Sequence, residues 1–203
     1  KIASRDLTNT YLLSYIAKHK PSDVPVILST GMHGWVALID AMDYFSDDPL
    51  LCILHCTSTY PTPPGEVNLA CMQQLMRDFS ADGENTLVGI SDHTVGILVP
   101  SLAVLLGARL VEKHITIDRQ AKGTDQAGSL GPDGVWRMMR DIRLTELAMG
   151  SSDIEPPVST HEARAKLERS IASRRELASG TTLDYDDVLP LSPGTGIPWS
   201  EVD

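Results

Sequence analysis

Short apolar runs, several of them rich in β-branched residues, recur along the chain and are separated by amphipathic stretches. Runs of this length, bounded by polar residues, are typical of strands that are buried on both faces of a parallel sheet. The sequence predicts such strands over residues 24–28, 50–54, 87–90 and 109–111. Residues 1–4 have the character of the end of a further strand, which brings the predicted number to five.

Between these runs, apolar residues recur every three or four positions, which predicts helices with one buried face. Two such faces are formed by Leu69, Met72, Met76 and Phe79, and by Val135, Met138, Met139 and Ile142. We expect the opening helix to be capped by Thr8. Strands that alternate with helices indicate βα units around a parallel sheet. The predicted fold class is therefore α/β, a (β/α)8 TIM barrel of which this chain supplies about the last five strands.

The character of the chain changes after Gly150. Residues 151–159 contain two prolines and two acidic residues, which is typical of a linker. A capping box from Ser159 to Glu162 is expected to open a short helix that ends near Leu167. The remainder reads as a small β-rich module with a turn at Gly180 and one helical turn over 183–188. The predicted domains are residues 1–150 (barrel part), 151–168 (linker with a short helix) and 169–203 (β-rich module).

Composition narrows the class of partner. The net charge of −10 argues against nucleic acid or an anionic membrane as the main partner. The apolar runs are too short to span a bilayer. The three cysteines, Cys52, Cys56 and Cys71, include no C-x-x-C pair, and we interpret them as buried, reduced thiols of a cytoplasmic protein.

Polar side chains follow the predicted strands at their carboxyl ends, where TIM barrels build their active sites. Ser91 and His93 share one face of their strand, and Glu112 and His114 share one face of the next, because side chains alternate along a strand. Two histidines at the ends of consecutive strands can meet above the sheet, and neutral imidazoles bind divalent transition metals. The residues alone leave two interpretations open: a shared metal site, or one core histidine and one surface histidine.

Hydroxyl groups and one ammonium group at several strand ends form a second set: Lys1, Ser4, Ser29, Ser58 and Ser91. Converging donors suit a phosphate or a carboxylate, although serines at these positions also cap helices. Tyr60 lies in a proline-rich loop and either binds a sugar hydroxyl or only marks the exit of the strand. Asp125 lies in the loop after the His114 strand, within reach of the same end of the barrel.

At these residues the chain resembles the N-acetylneuraminate (sialic acid) synthase family over nearly all of residues 1–150. The resemblance is carried by K-I-A-S, I-L-S-T-G-M, H-C-T-S-T-Y-P-T-P, S-D-H-T, V-E-K-H-I-T and G-T-D-Q-A-G-S-L, in this order. The tail, with R-S-I-A-S and later L-S-P-G-T-G-I, resembles the first part of the antifreeze-like (SAF) domain that follows the barrel in that family.

The resemblance implies an enzyme that condenses phosphoenolpyruvate with N-acetylmannosamine, or a related amino-sugar aldehyde, and water to give a nonulosonic acid and phosphate. It implies that His93 and His114 bind Mn²⁺ or Mg²⁺ as catalytic residues, that Asp125 joins them in catalysis, and that Tyr60 and Asp125 face the sugar. Phosphoenolpyruvate is expected to contact Lys1, Ser4, Ser29, Ser58 and Ser91. The family also implies a homodimer of a longer parent protein. Because the first strands of the family's barrel are missing, we expect this chain alone to be inactive.

Some positions depart from the family pattern. Ser58 stands where Asn is frequent, Asp6 where Glu is usual, and Gln126 where His is frequent. Ser192 stands where many members carry an Arg that reaches the sugar's N-acyl group in the partner's site, and this leaves the acceptor open. Synthases of legionaminic, pseudaminic or deaminated nonulosonic acid remain alternatives, as does a non-catalytic remnant that binds a sugar phosphate or a metal.

Overall fold

The computed structural model of the protein describes residues 1–79 and 86–202. The chain divides into two compact units, Lys1–Gly150 and Ser151–Asp203. The first unit is an α/β structure around a curled parallel sheet, the arrangement of half a barrel.

Parallel strands form this sheet in the order in which they occur in the chain: β1 (Val26–Ser29), β2 (Leu51–Cys56), β3 (Thr86–Asp92) and β4 (Val111–Lys113). Single parallel bridges add Ile2 beside Leu28 at one edge and join Ile115 to Leu130 beyond the other. The strands predicted from the apolar runs are confirmed, and every strand limit lies within two residues of the predicted one. The bridge at Ile2 places the predicted end of a fifth strand beside β1.

Most residues of β1, β2 and β3 are buried, because apolar side chains cover both sides of the sheet, whereas β4 is only half-buried. All six residues of β2 are buried. Leu28, Ile53 and Ile90, from three neighbouring strands, belong to one apolar core that also contains Met72 and Leu75. Continuous burial explains why these segments read as unbroken apolar runs rather than as alternating ones.

The helices of this unit are α1 (Thr10–His19), α2 (Trp35–Asp43), α3 (Leu69–Phe79), α4 (Leu98–Leu105) and α5 (Pro132–Met149). Met72 on α3 and both Met138 and Ile142 on α5 are buried, which confirms the two predicted helix faces. Met139 is 40% exposed and lies at the margin of its face.

The predicted cap of α1 at Thr8 is wrong. The helix begins at Thr10, and the side chain of Asn9 accepts a hydrogen bond from the backbone N–H of Leu12 at 3.2 Å. Thr8 lies one residue too early for this role, because its backbone belongs to the turn that leads into the helix and its carbonyl accepts from Thr10 N. Asn is a better N-cap than Thr, so residue type and position both favour Asn9.

In the second unit, α6 (His161–Leu167) precedes β5 (Ser170–Ser173), which pairs antiparallel with β6 (Val188–Leu191). The turn predicted at Gly180 is confirmed, and this glycine has a φ of +87°. The predicted capping box is wrong, because Ser159 lies in a 3-10 turn (Val158–Thr160) that precedes α6. Thr160 takes the cap position instead, and its hydroxyl donates to Pro157 O rather than capping the helix. The likeness of this unit to an antifreeze-like domain stays a prediction.

The cysteines are free thiols, as predicted, although Cys71 is only partly buried. Among residues 1–79 and 86–202, no helix has both the length and the apolar character that crossing a bilayer requires.

Candidate active site

The carboxyl ends of β2, β3 and β4 bring polar side chains into one row. Cys56 is the register partner of Ser91, and Ser91 is the register partner of Glu112. Ser91 Oγ donates to Glu112 Oε1 at 2.6 Å, and Lys1 Nζ donates to the same oxygen at 2.9 Å. The row therefore joins a thiol, a hydroxyl, a carboxylate and an ammonium at the end of the sheet where parallel α/β proteins bind their ligands.

Glu112 is held as a carboxylate by this row. Burial by itself would raise its pKa, but the hydrogen bonds from Ser91 and Lys1, together with the charge of Lys1, lower it below its usual value. Lys1 and Glu112 are each about one-third exposed. The pair is therefore accessible to a ligand that enters from the open end of the sheet.

Three rings meet beside this row. The imidazoles of His93, after β3, and His114, after β4, have centroids 5.2 Å apart. The Tyr60 ring lies 4.1 Å from the His93 ring and 5.5 Å from the His114 ring. The structure thus brings together the two histidines that were predicted to share a metal and the tyrosine that was predicted to face the sugar.

The hydrogen bonds of His93 determine which ring nitrogen is free. Its Nδ1 lies 2.9 Å from the carbonyl oxygen of Thr57. A carbonyl only accepts, so Nδ1 carries a proton, and in the neutral ring the lone pair is then on Nε2, which lies 3.4 Å from Ser91 Oγ. A histidine that donates one ring N–H to the backbone and presents the other nitrogen is the usual form of a metal ligand.

Cys56 adds to the electrostatics of His93, and its Sγ lies 3.8 Å from His93 Nδ1. Burial is the largest influence on His93 and would lower its pKa, but the contacts with Cys56 and Thr57 and the nearby negative charges raise it. For Cys56 burial would raise the pKa, and hydrogen bonds from His93, Ser4 and Ser91 lower it. The thiol and the imidazole therefore stabilise each other's charged forms.

A cleft of about 140 Å³ opens next to these rings, with Tyr60, His93, His114 and Asp125 in its lining. His114 Nδ1 and Asp125 Oδ2 are 3.7 Å apart, which is longer than a hydrogen bond. Asp125 is thus placed beside His114 and, like it, remains partly exposed. The cleft presents imidazole, phenol and carboxylate groups together.

Gly31, after β1, organises the predicted serines. Its N–H donates to Ser4 Oγ at 3.0 Å, and its carbonyl accepts from Ser58 N at 3.1 Å. A Cβ at this position would lie 2.3 Å from Ser58 Oγ, so the close approach requires glycine. The hydroxyl of Ser29, at the end of β1, is buried and has no hydrogen-bond partner within the described part of the chain.

Several residues of this site were missed or undervalued by sequence reasoning. Glu112 was recognised only as a neighbour of His114, and Cys56 was interpreted as an inert buried thiol. Both had a usable signal, because each ends or nearly ends a strand at the level of Ser91. Asp92 and Lys113 form a buried ion pair of 2.6 Å that the sequence did not indicate.

Comparison with known proteins identifies the relatives of this chain. The NeuB family model matches residues 1–154. The chain belongs to the NeuB family. N,N'-diacetyllegionaminic acid synthase from Legionella pneumophila is 39% identical over the whole chain, which covers 56% of that relative. Pseudaminic acid synthase from Campylobacter jejuni is 32% identical over 97% of the chain and 55% of its own length.

A solved structure supports the same assignment. N-acetylneuraminic acid synthetase from Leptospira borgpetersenii, in complex with citrate, superposes with a TM-score of 0.69 at 32% identity, covering 80% of this chain and 54% of that one. This NeuB-family chain therefore spans about half the length of the curated relatives it matches.

Proposed function

We propose that the protein is a nonulosonic acid synthase, which condenses phosphoenolpyruvate with an amino-sugar aldehyde and water and releases phosphate. The observation that carries this proposal is the placement of His93 and His114 beside the donors of Lys1 and Ser91 at one end of the sheet. In the reaction, C3 of the enol bonds to the aldehyde carbon and the aldehyde oxygen gains a proton. Water then adds at C2, and phosphate leaves.

The donor set fits both parts of the substrate pair. Lys1 Nζ keeps two N–H donors beyond the one that it gives to Glu112 Oε1, and the buried hydroxyl of Ser29 lacks a partner among the described residues. A phosphate or carboxylate would satisfy such donors and be oriented by them. Tyr60 and Asp125 line the adjoining cleft, where hydroxyl groups of a sugar would find a phenol and a carboxylate.

A divalent metal, Mn²⁺ or Mg²⁺, fits the two histidines. In the neutral ring, the bond from His93 Nδ1 to Thr57 O leaves Nε2 free to bind a metal, and the described residues offer no group of three His, Cys, Asp or Glu that could hold one. His93 and His114 would therefore supply two ligands, and water and substrate oxygens would complete the coordination. When bound, such an ion supplies Lewis acidity that polarises the aldehyde. His93, anchored on Thr57, and His114, beside Asp125, would hold it in place.

N-acetylmannosamine is our first choice of acceptor, and a 2,4-diacetamido sugar is the alternative that the legionaminic and pseudaminic relatives favour. Ser192, where a family arginine was expected, donates to Leu167 O and accepts from Arg169, so its hydroxyl is engaged within the second unit. We further propose that the protein at its natural length forms a homodimer and that its first unit is part of a closed (β/α)8 barrel. The second unit would belong to an antifreeze-like domain. The free thiols support a cytoplasmic location.

The test measures phosphate release from phosphoenolpyruvate by the protein at its natural length. N-acetylmannosamine, mannose and 2,4-diacetamido sugars are offered in parallel, with and without exhaustive chelation followed by Mn²⁺. We expect release with an amino sugar only, lost on chelation and restored by Mn²⁺. Release that is independent of every aldehyde contradicts the synthase proposal, and release that is unchanged by chelation contradicts the metal role.

A further inference from the structure

A buried ion pair joins the two strands that carry the histidines. Lys113 Nζ lies 2.6 Å from Asp92 Oδ2, and the two side chains are 3% and 1% exposed. Lys113 Nζ also donates to Thr94 O at 2.5 Å, and Asp92 Oδ1 accepts from Thr94 N at 2.8 Å. The charged groups are thus almost closed to solvent and are bonded to each other and to the backbone of Thr94.

The position of this pair in the chain is informative. Asp92 and Lys113 are register partners at the ends of β3 and β4, and each directly precedes a histidine. Asp92 and Thr94 flank His93, so Lys113 is bonded on both sides of that residue, to the Asp92 side chain and to the Thr94 carbonyl. The ion pair therefore sets the spacing of the two backbones at the point from which His93 and His114 leave the sheet.

Stability alone does not explain such a pair. Removing two charges from water costs several kcal/mol per ion, and apolar replacements of similar volume are often as stable or more stable. A metal site, in contrast, requires its ligands to be held within about 0.5 Å of their working positions. Directional charge-assisted hydrogen bonds provide that restraint better than apolar packing does.

We propose that Asp92 and Lys113 are positioning residues that hold His93 and His114 at the separation needed to share one divalent ion. This inference rests on the metal role proposed above. Both residues line the cleft beside the histidines, and their charged groups are bonded to each other and to the backbone of Thr94. Lys113 acts through Thr94 and Asp92 on the loop that carries His93, and through its own backbone on His114.

The chain contains a matched control at the other end of the same sheet. Lys20 and Asp48 form an ion pair whose side chains are 10% and 9% exposed, in the segments that lead into β1 and β2. This pair is also buried between two strand-connecting segments, but it lies at the amino ends of the strands. Replacing it tests the loss of a buried ion pair without touching the candidate site.

The experiment compares two double variants of the protein at its natural length, Asp92→Leu/Lys113→Met and Lys20→Met/Asp48→Leu. Mn²⁺ affinity is measured by calorimetry and by electron paramagnetic resonance, and melting temperature by circular dichroism. Removing both charges leaves no unpaired ion, so both variants should fold. We expect Mn²⁺ affinity to fall about 10- to 100-fold in the first variant, the range for outer-shell residues, and to be unchanged in the second.

Asp92→Asn is the second variant, because its side-chain oxygen can still accept from Thr94 while its charge is lost. Loosening the loop should weaken the bond from His93 Nδ1 to Thr57 O. In metal-free protein, at a pH where the ring is neutral, ¹⁵N signals of His93 should therefore report a single Nδ1–H tautomer in the wild type and a mixture in this variant. Wild-type affinity and a single tautomer in the variants would overturn the positioning role alone. Wild-type Mn²⁺ binding that survives His93→Ala would instead overturn the proposed metal role, and absence of wild-type binding would overturn both.

Discussion

Each end of the parallel sheet carries a buried ion pair, but the groups around the two pairs differ. At the amino end, Lys20 and Asp48 pair beside backbone carbonyls that also accept from Lys20. At the carboxyl end, Asp92 and Lys113 pair directly beside two histidines. A buried ion pair therefore does not by itself indicate function, because its meaning depends on which groups it positions.

This difference agrees with a general property of parallel α/β folds. The carboxyl ends of the strands and their loops carry chemistry, while the amino ends mainly carry stability. In this chain the hydroxyls of Ser4 and Ser91, the carboxylate of Glu112 and the imidazoles lie at the carboxyl end. We expect substitutions there to reduce turnover more than stability, and substitutions at the amino end to do the reverse.

The largest effect should follow the loss of a histidine. His93→Ala, His114→Ala and the double variant should each lower phosphate release about 1,000-fold, because Lewis-acid stabilisation is worth several kcal/mol. The double variant should be little worse than either single variant, since groups that act as a unit are not additive. Steady-state kinetics at saturating Mn²⁺ provide the measurement. Full metal affinity in either single variant would show that the two rings do not share an ion.

The next largest effect should be on stability, at the amino end. Lys20→Met leaves the nine-tenths buried Asp48 without its cation, and we expect the free energy of unfolding to fall by about 3 kcal/mol. Phosphate release per folded molecule should remain within about twofold of wild type, an allowance of about 0.4 kcal/mol. Urea unfolding and kinetics of the same preparation test this. If Lys20→Met lost much of its kcat while its stability was unchanged, the amino end of the sheet would have a role in catalysis, contrary to this prediction.

Gly31→Ala should give an intermediate effect at the carboxyl end. The new methyl group would lie 2.3 Å from Ser58 Oγ and 2.8 Å from Cys56 Sγ, so these side chains must move. Overpacking of this kind costs about 1–3 kcal/mol, and we expect the KM for phosphoenolpyruvate to rise. Gly65→Ala is the control, because its added Cβ would meet nothing within 4 Å. Equal KM values for phosphoenolpyruvate in the two variants would show that Gly31 does not shape the binding site.

The smallest effect concerns pH. The pKa of Glu112 is lowered in the folded protein, so its contribution to stability is full above the unfolded pKa and is lost as pH falls through the folded pKa. Because Lys1 and Glu112 are each about one-third exposed, the contribution should stay below about 1 kcal/mol. Glu112→Gln should therefore be slightly less stable than wild type at pH 7 and equal to it in strong acid. A difference that persists unchanged in acid would mean that Glu112 acts through shape rather than charge.

Much of the first unit was predictable from the chain. Apolar runs such as residues 50–54 identify strands because continuous apolar character is compatible with burial on both sides, and β2 is buried throughout. The helix faces around Met72 and Met138 were predictable because a helix repeats every 3.6 residues. Helix starts were less predictable, as Thr8 and Asn9 show, because neighbouring residues can both serve as caps.

The candidate site, like the fold, was predictable from the sequence only in part. Polar residues at strand ends are a local feature, so His93, His114 and Ser91 could be selected from the sequence alone, as could Lys1. Which of these side chains contact each other could not be predicted from the sequence. The contact of Ser91 with Glu112, and that of Thr57 with His93, joins residues that are 21 and 36 positions apart in the chain.

The element types, the parallel sheet and most of the chemical groups at its carboxyl end were thus predictable, because they depend on residues that are close in the chain. Three pairings became visible only in the folded protein: Lys1 and Ser91 share Glu112, Lys113 pairs with Asp92, and Lys20 pairs with Asp48. Each of these charged groups had several partners of opposite charge available. Strand register and burial select one partner, since a charge removed from water is stable only beside the partner that the packing brings to it.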